Sequence, residues 1–316
     1  RNDDYRGLGD WEANLTKLPN GIKGLSEKVE AMGLRFGLWF ELEMVNMDSD
    51  LYRAHPDWMI QTPGRFPSHA RHQHVLDYSR SEVVDYIYEK VAKILRESKI
   101  SYIKWDMNRY MSEPYSPSLP PEKQGEMMHR YILGVYSLYY RLTQEFPDIL
   151  IESCASGGAR FDAGLLYYAP QAWCSDDSDA GERAKIQYGT SIAYPIVSIG
   201  AHVSAVPNQQ VYRHTPLETR ANIAYFGTFG YELDLNLLSE IELAEVKREI
   251  AFMKEHRKLL QIEGDFYRLL SPFSGNECGF SVVSPEQTEA IALYFQKLNF
   301  VNASWIRFKL KGLSKE

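Results

Sequence analysis

Acidic side chains recur in this chain immediately after short apolar runs: Glu41 and Glu43, Asp106, Glu152, then Asp176, Asp177 and Asp179, and finally Asp234. A set of carboxylates gathered around a neutral pocket is what glycoside hydrolysis requires. One carboxyl protonates the departing oxygen while another attacks the sugar carbon or activates water on the opposite face. Lys104 lies two residues before Asp106 and would share its side of an extended strand. A positive charge there would favour the ionised form of a nucleophilic carboxylate. The competing reading makes Asp106 a strand-end cap or the partner of Arg109 in a salt bridge, and residue types alone leave both open.

The elements that must present these groups follow from periodicity. Helical spacing predicts helices over 21–32, over 81–98 with Val84, Ile87, Val91 and Ile94 on one face, and over 124–146. Apolar runs at 34–40, 100–105, 149–151, 172–174, 196–203 and 229–235 read as strands. Two further helices carry start signals. Thr215, Pro216 and Glu218 have the form of a capping box with proline in the first turn, and Ser239 with Glu242 forms a second box for a helix reaching about Leu260. Strand and helix in alternation is the pattern of a parallel α/β sheet. About six strands precede Leu260, and polar groups at their C-terminal ends suit a (β/α)8 TIM barrel better than a doubly wound sheet. No Gly-rich G-x-G-x-x-G turn follows any strand, which counts against a dinucleotide. After Gly264 the pattern becomes strands alone, over 265–270, 279–284 and 289–295, the expected start of an antiparallel β domain.

Composition narrows the partners. The formal net charge of −7, with charged residues at 24%, disfavours nucleic acid and fits a neutral small molecule. Tyrosines number 21 and tryptophans 6, and aromatic faces can stack on sugar rings, although most aromatics fill cores. The 3 cysteines, Cys154, Cys174 and Cys278, form neither a paired framework nor a C-x-x-C metal motif. No signal peptide and no apolar run of membrane-spanning length is visible, so the cytoplasm is the expected location. The H-x-H pattern of His72 and His74, with His69 nearby, reads as a solvated loop beside Arg71 rather than a metal site, and no cofactor is expected. The sequons at Asn14 and Asn302 read as chance matches. Tyr139 and Tyr140 read as core.

The motifs resemble a known family. K-W-D-M-N-R at 104–109 is similar to the nucleophile signature of the bacterial α-galactosidases of glycoside hydrolase family 36. C-S-D-D-S-D-A-G-E-R at 174–183 resembles their acid/base segment, and E-S-C-A-S-G-G at 152–158 their Gly-rich sugar turn. Blocks at 39–45, 71–77, 200–204 and 227–233 also match in order, so the likeness runs through nearly the whole chain. It implies Asp106 as nucleophile of a retaining mechanism, through a covalent galactosyl intermediate, and Asp176 as acid/base. It further implies substrate-binding places for Trp39, Arg71, Lys104, Asn108, Cys154, Gly157 and Asp179, with Asp179 the more natural supporting partner within its segment.

Family members carry a D-D-G-W block whose carboxylates grip galactose hydroxyls, and Arg1 stands just after where that block belongs. The expectation is therefore a barrel represented by strands 3 to 8 over residues 1–262, without its first two strands, and a C-terminal antiparallel β domain beginning at 263–316. Leu42 replaces a usual proline, and Ala155 and Ala159 stand where Ser or Gly is common. The implied substrates are oligosaccharides such as melibiose and raffinose, the implied state a homo-oligomer. The alternatives are an α-N-acetylgalactosaminidase, a galactosyl-transferring enzyme, or a catalytically silent fragment needing a complementing chain.

Overall fold

The structure, a computed structural model, describes residues 3–303 and 305–314. Ser304 of the second sequon lies outside the described residues. Two compact units divide the chain, Arg1–Pro170 and Gln171–Glu316.

The first unit is built on three short parallel strands, β1 (Gly37–Phe40), β4 (Tyr102–Trp105) and β5 (Leu150–Ser153), with β4 in the middle. A small antiparallel pair, β2 (Met44–Val45) and β3 (His74–Val75), lies between β1 and β4 in the chain. Helices α1 (Gly21–Ala31), α2 (Asp50–Ala54), α3 (Ser81–Glu97), α4 (Met127–Glu145) and α5 (Ala163–Tyr168) complete the unit. The apolar stripe of α3 behaves as its spacing requires. Val84, Ile87 and Val91 are buried and Ile94 is half-buried. On α4, Tyr131, Leu138 and Tyr139 are fully buried, and Tyr139 stacks on Trp105 of β4 at a centroid distance of 4.0 Å. Tyr140, its neighbour in sequence, faces solvent. Burial of such large rings supplies much of the apolar stabilisation of the unit.

The register matters for function. Lys104 stands opposite Glu152, and Trp39 opposite Lys104, on adjacent parallel strands. Side chains of directly neighbouring residues point to the same face of a parallel sheet. Trp39, Lys104 and Glu152 are thereby brought to one face, and Asp106 follows β4 with its backbone N–H bonded to Phe40 O at 2.8 Å.

In the second unit, Ala172 of the short β6 (Gln171–Ala172) bridges Ile199 in parallel, and β7 (Gly200–Ser204) pairs in parallel with β8 (Thr228–Glu232). Helix α6 (Ala180–Thr190) follows the acidic segment. Helix α7 (Leu217–Ala224) begins later than its sequence signals suggest. Its N-cap is Pro216, and no side chain caps it, so Thr215 does not form the expected box. The Ser239–Glu242 box is present, with both halves of its reciprocal bonding, and starts α8 (Glu240–Arg257). A π-helical turn, Lys258–Glu263, continues it. Three antiparallel strands then follow without a helix between them: β9 (Asp265–Leu270), β10 (Glu277–Val283) and β11 (Ala290–Gln296), with β10 central.

Candidate active site

Asp106 is 7% exposed and its carboxylate is held from several directions. Oδ2 accepts from Trp39 Nε1 at 3.2 Å and from Asn108 Nδ2 at 2.7 Å. Oδ1 accepts from the backbone N–H of Met107 at 2.8 Å. Donors converging on both oxygens fix the orientation of the carboxylate. Asn108 is itself held, because its N–H donates to Glu41 at 3.1 Å and its Oδ1 accepts from Ser156 at 3.3 Å. Arg109 donates to Ser68 Oγ and Ser112 Oγ, and among the described residues it makes no ion pair with Asp106. The salt-bridge alternative for Asp106 is therefore not the one the fold adopts.

The other predicted residues of this unit differ in their settings. Trp39 remains 41% exposed and so keeps a face available beside Asp106. Lys104 pairs with buried Glu152, Nζ to Oε1 at 3.0 Å, and Tyr102 donates to the same carboxylate. The charge expected to act on Asp106 is thus shared with a partner one strand away. Cys154 is buried, and burial first, then the Asp106 carboxylate, push its thiol well above the usual range. A thiol held in its neutral form donates rather than attacks. Gly157 adopts φ +85° after Ser156 at φ +48°, in a turn closed by Ala155 N–H to Gly157 O at 2.9 Å. Glycine takes that left-handed conformation without steric cost. Arg71 is exposed on the turn before β3, with φ +53°, next to His72 at φ +59°.

Two expectations change here. Glu41 and Glu43, read as members of an acidic rim, are both completely buried. Glu43 accepts from Trp105 Nε1 at 3.0 Å, from Tyr131 Oη at 2.5 Å and from Arg160 Nη1 at 2.9 Å, while Gln73 Nε2 donates to Glu41 at 2.8 Å. Burial opposes the Arg160 charge, but Glu43 together with Tyr139 and Tyr131 outweighs it and raises the guanidinium above its ordinary value. The histidines do not form a uniformly solvated loop either. His74 is 4% exposed on β3, and its ring lies 5.9 Å from that of His69. Burial, then the Arg109 charge, lower its pKa to about 4. Among the described residues no group of three or more His, Cys, Asp or Glu side chains is arranged to hold a metal ion.

In the second unit, Asp176 lies exposed on the turn after β6, and Oδ1 accepts from Trp173 Nε1 at 3.1 Å. Asp177 is half-buried and accepts the backbone N–H of Asp179 at 3.1 Å. Asp179 is 1% exposed; its Oδ2 caps α6 through the Glu182 N–H at 3.0 Å and pairs with Arg213. Of the three aspartates, then, Asp176 presents a carboxylate to solvent and Asp179 is committed to structure. His202 stacks on Trp173 at 4.6 Å, and Asp234 caps the short turn that follows β8. Among the described residues no helix is long and apolar enough to cross a membrane.

Residues 1–263 match the family model described as Melibiase. The chain belongs to the Melibiase family. Among its relatives is alpha-galactosidase AgaA of Geobacillus stearothermophilus, 54% identical over 313 residues, which are 99% of this chain and 43% of that protein. Alpha-galactosidase 1 of Pediococcus pentosaceus is 48% identical over 99% of this chain and 43% of its own length. The crystal structure of the family 36 enzyme AgaA superposes with a TM-score of 0.97 at 54% identity, covering 99% of this chain and 44% of that one. The chain therefore spans less than half the length of these relatives, and over that span it shares the fold of AgaA.

Proposed function

We propose that this Melibiase-family chain carries the catalytic portion of a retaining α-galactosidase, with Asp106 as nucleophile and Asp176 as acid/base. The observation that carries the reading is the unlike setting of the two carboxylates. Asp106 is buried and held by donors on both oxygens, as a nucleophile that must stay ionised requires, and Asp176 is open to solvent with one oxygen free to exchange a proton. The relatives add support. In substituted forms of AgaA, one complexed with stachyose and one with raffinose, the replaced aspartates are separated by the same interval as Asp106 and Asp176.

In this mechanism an Asp106 oxygen bonds to the anomeric carbon as the bond to the leaving oxygen breaks and Asp176 delivers its proton there. Water then attacks the same carbon, Asp176 takes the proton back, and the ester to Asp106 is cleaved with overall retention. Trp39 walls the sugar, Asn108 holds the nucleophile, and Lys104, Arg71, Cys154 and Gly157 contact hydroxyls. Asp179 supports the acid/base segment from behind. The substrates are terminal α-galactosides such as melibiose and raffinose. The fold reading is a (β/α)8 barrel over residues 1–262, represented by its strands 3 to 8, with a C-terminal antiparallel domain beginning at 263–316. A cytoplasmic homo-oligomer completes the proposal.

The decisive experiment is trapping with a fluorinated galactosyl donor, followed by peptide mass analysis. Label on Asp106 alone is expected, and label on any other residue overturns the assignment. Cleavage of nitrophenyl α-galactoside in preference to its N-acetyl analogue excludes the acetylgalactosaminidase reading. Product analysis at high sucrose or raffinose does the same for net galactosyl transfer.

A further inference from the structure

We propose that Trp173 is a positioning residue for the acid/base carboxylate; the proposal rests on the reading of Asp176 given above. An indole N–H is a donor with no acceptor capacity, mounted on a rigid plane. Here it meets Asp176 Oδ1 at 3.1 Å, and among the described residues it is the only side-chain donor to that carboxylate. Asp176 is exposed, on a turn, and four residues beyond a strand of only two residues. Gln210 Nε2 donates to the Asp176 backbone carbonyl at 3.3 Å, so the turn is held there while the carboxylate itself is held by the indole.

The indole can do this because it is itself fixed. Trp173 is 4% exposed. One face stacks on the His202 ring of β7, with centroids 4.6 Å apart and planes inclined by 26°. The Arg183 guanidinium of α6 lies 4.9 Å from the ring centre, and Arg183 is anchored in turn by Gly200 O and by Gln187 Oε1 at 3.3 Å. Stacked aromatic and cation–π contacts of this kind hold a ring in one plane. The strand behind it fits closely, since a methyl group placed on Gly200 would come within 3.0 Å of Trp173 Cε3.

The division of labour follows. Oδ1 is the anchored oxygen, and Oδ2 is left to carry the proton to the leaving group and to accept it from water. The titratable and charged groups around this arrangement are His202 on β7, Glu232 on β8 with Oε2 3.6 Å from His202 Nδ1, Arg183 on α6, and Cys174 and Asp177 on the turn itself.

The test compares W173F and D176N with the unchanged full chain on two galactosides, one with a poor leaving group and one with a dinitrophenolate. In W173F, kcat/KM for the poor leaving group should fall about tenfold, with the activated substrate changed less than about twofold. The alkaline limb of the kcat/KM profile should move to higher pH, because a hydrogen bond to the ionised form is lost. Replacement of Trp173 by benzothienylalanine keeps the shape and the stacking while deleting the donor. It should reproduce both effects even if the phenylalanine variant folds poorly. Equal loss on both substrates, or an unmoved alkaline limb in the benzothienylalanine protein, overturns the proposal. D176N separates the two levels of the argument. If it lacks a selective loss on the poor leaving group, the acid/base assignment fails; if it shows that loss and the Trp173 variants do not, only the positioning role fails.

Discussion

Asp106 and Asp176 each accept a hydrogen bond from an indole N–H, at 3.2 Å from Trp39 and 3.1 Å from Trp173, and there the likeness ends. Around Asp106 the indole is one donor among several, on a carboxylate directly after the central strand of a parallel sheet. Around Asp176 it is the single side-chain donor among the described residues, on an exposed turn. The difference teaches how one residue type can hold two jobs. Under the proposed mechanism, several donors freeze a carboxylate for bond formation at carbon, whereas one donor aims a carboxyl and leaves it open for exchange of protons with a leaving group and with water.

The largest effects should come from breaking the two carboxylates separately. D106N is expected to lower kcat/KM by about 10⁴-fold or more on every galactoside, regardless of leaving group. D176N should cost about 10²- to 10⁴-fold on poor leaving groups and far less on activated ones. Steady-state kinetics on a leaving-group series would expose equal profiles, and equal profiles would erase the distinction drawn above. N108A removes one of the several donors to Asp106. It should lower kcat about tenfold with KM within about twofold, because a hydrogen bond to a charged group is lost while the others hold the geometry. A collapse as deep as that of D106N would mean that Asn108, rather than the ensemble of donors, sustains the Asp106 carboxylate in its proposed role.

A separate effect, away from both carboxylates, is on stability in acid. His74 is neutral in the folded state, with its pKa lowered from 6.5 to about 4 by burial and then by Arg109. The unfolded chain therefore binds a proton that the folded chain refuses. Stability should fall as pH drops from about 6.5 through about 4, by roughly 2–3 kcal/mol at most. Urea midpoints across that interval should show the fall, and H74Q should flatten it. An identical acid slope in H74Q would remove His74 as its source.

Much of the fold was legible because local patterns and final structure agree. The stripe on α3 and the Ser239–Glu242 box need only near neighbours to be read. Thr215 shows the limit of that approach. Its box has the right residues, yet Pro216 becomes the cap, since Leu217 is the first residue in helical conformation. The site divides in the same way. Placement of Asp106 after a strand, and of Asp176 before α6, followed from apolar runs and the motif. The burial of Glu41 and Glu43 did not, because Trp105, Tyr131 and Arg160 reach Glu43 across 62, 88 and 117 residues of chain. The role of Asp179 as helix cap had a local signal, with Glu182 three residues on, the spacing of a capping interaction. The partnership of Lys104 with Glu152 needed the strand register, which the sequence alone does not specify.

The pairing of buried Glu43 with half-buried Arg160 has a consequence for how such a chain can change over time. Loss of Arg160 leaves the buried Glu43 carboxylate with neutral donors alone, and loss of Glu43 leaves a half-buried guanidinium without its counter-charge, at a cost of up to about 3–5 kcal/mol, a large share of the stability of an ordinary domain. Loss of both, with apolar replacements of similar size, could be nearly neutral. The two single-step routes therefore pass through a chain that folds poorly, while the end point does not. Positions 43 and 160 are locked together by that valley, and substitutions at one are predicted to be tolerated only in a background already altered at the other.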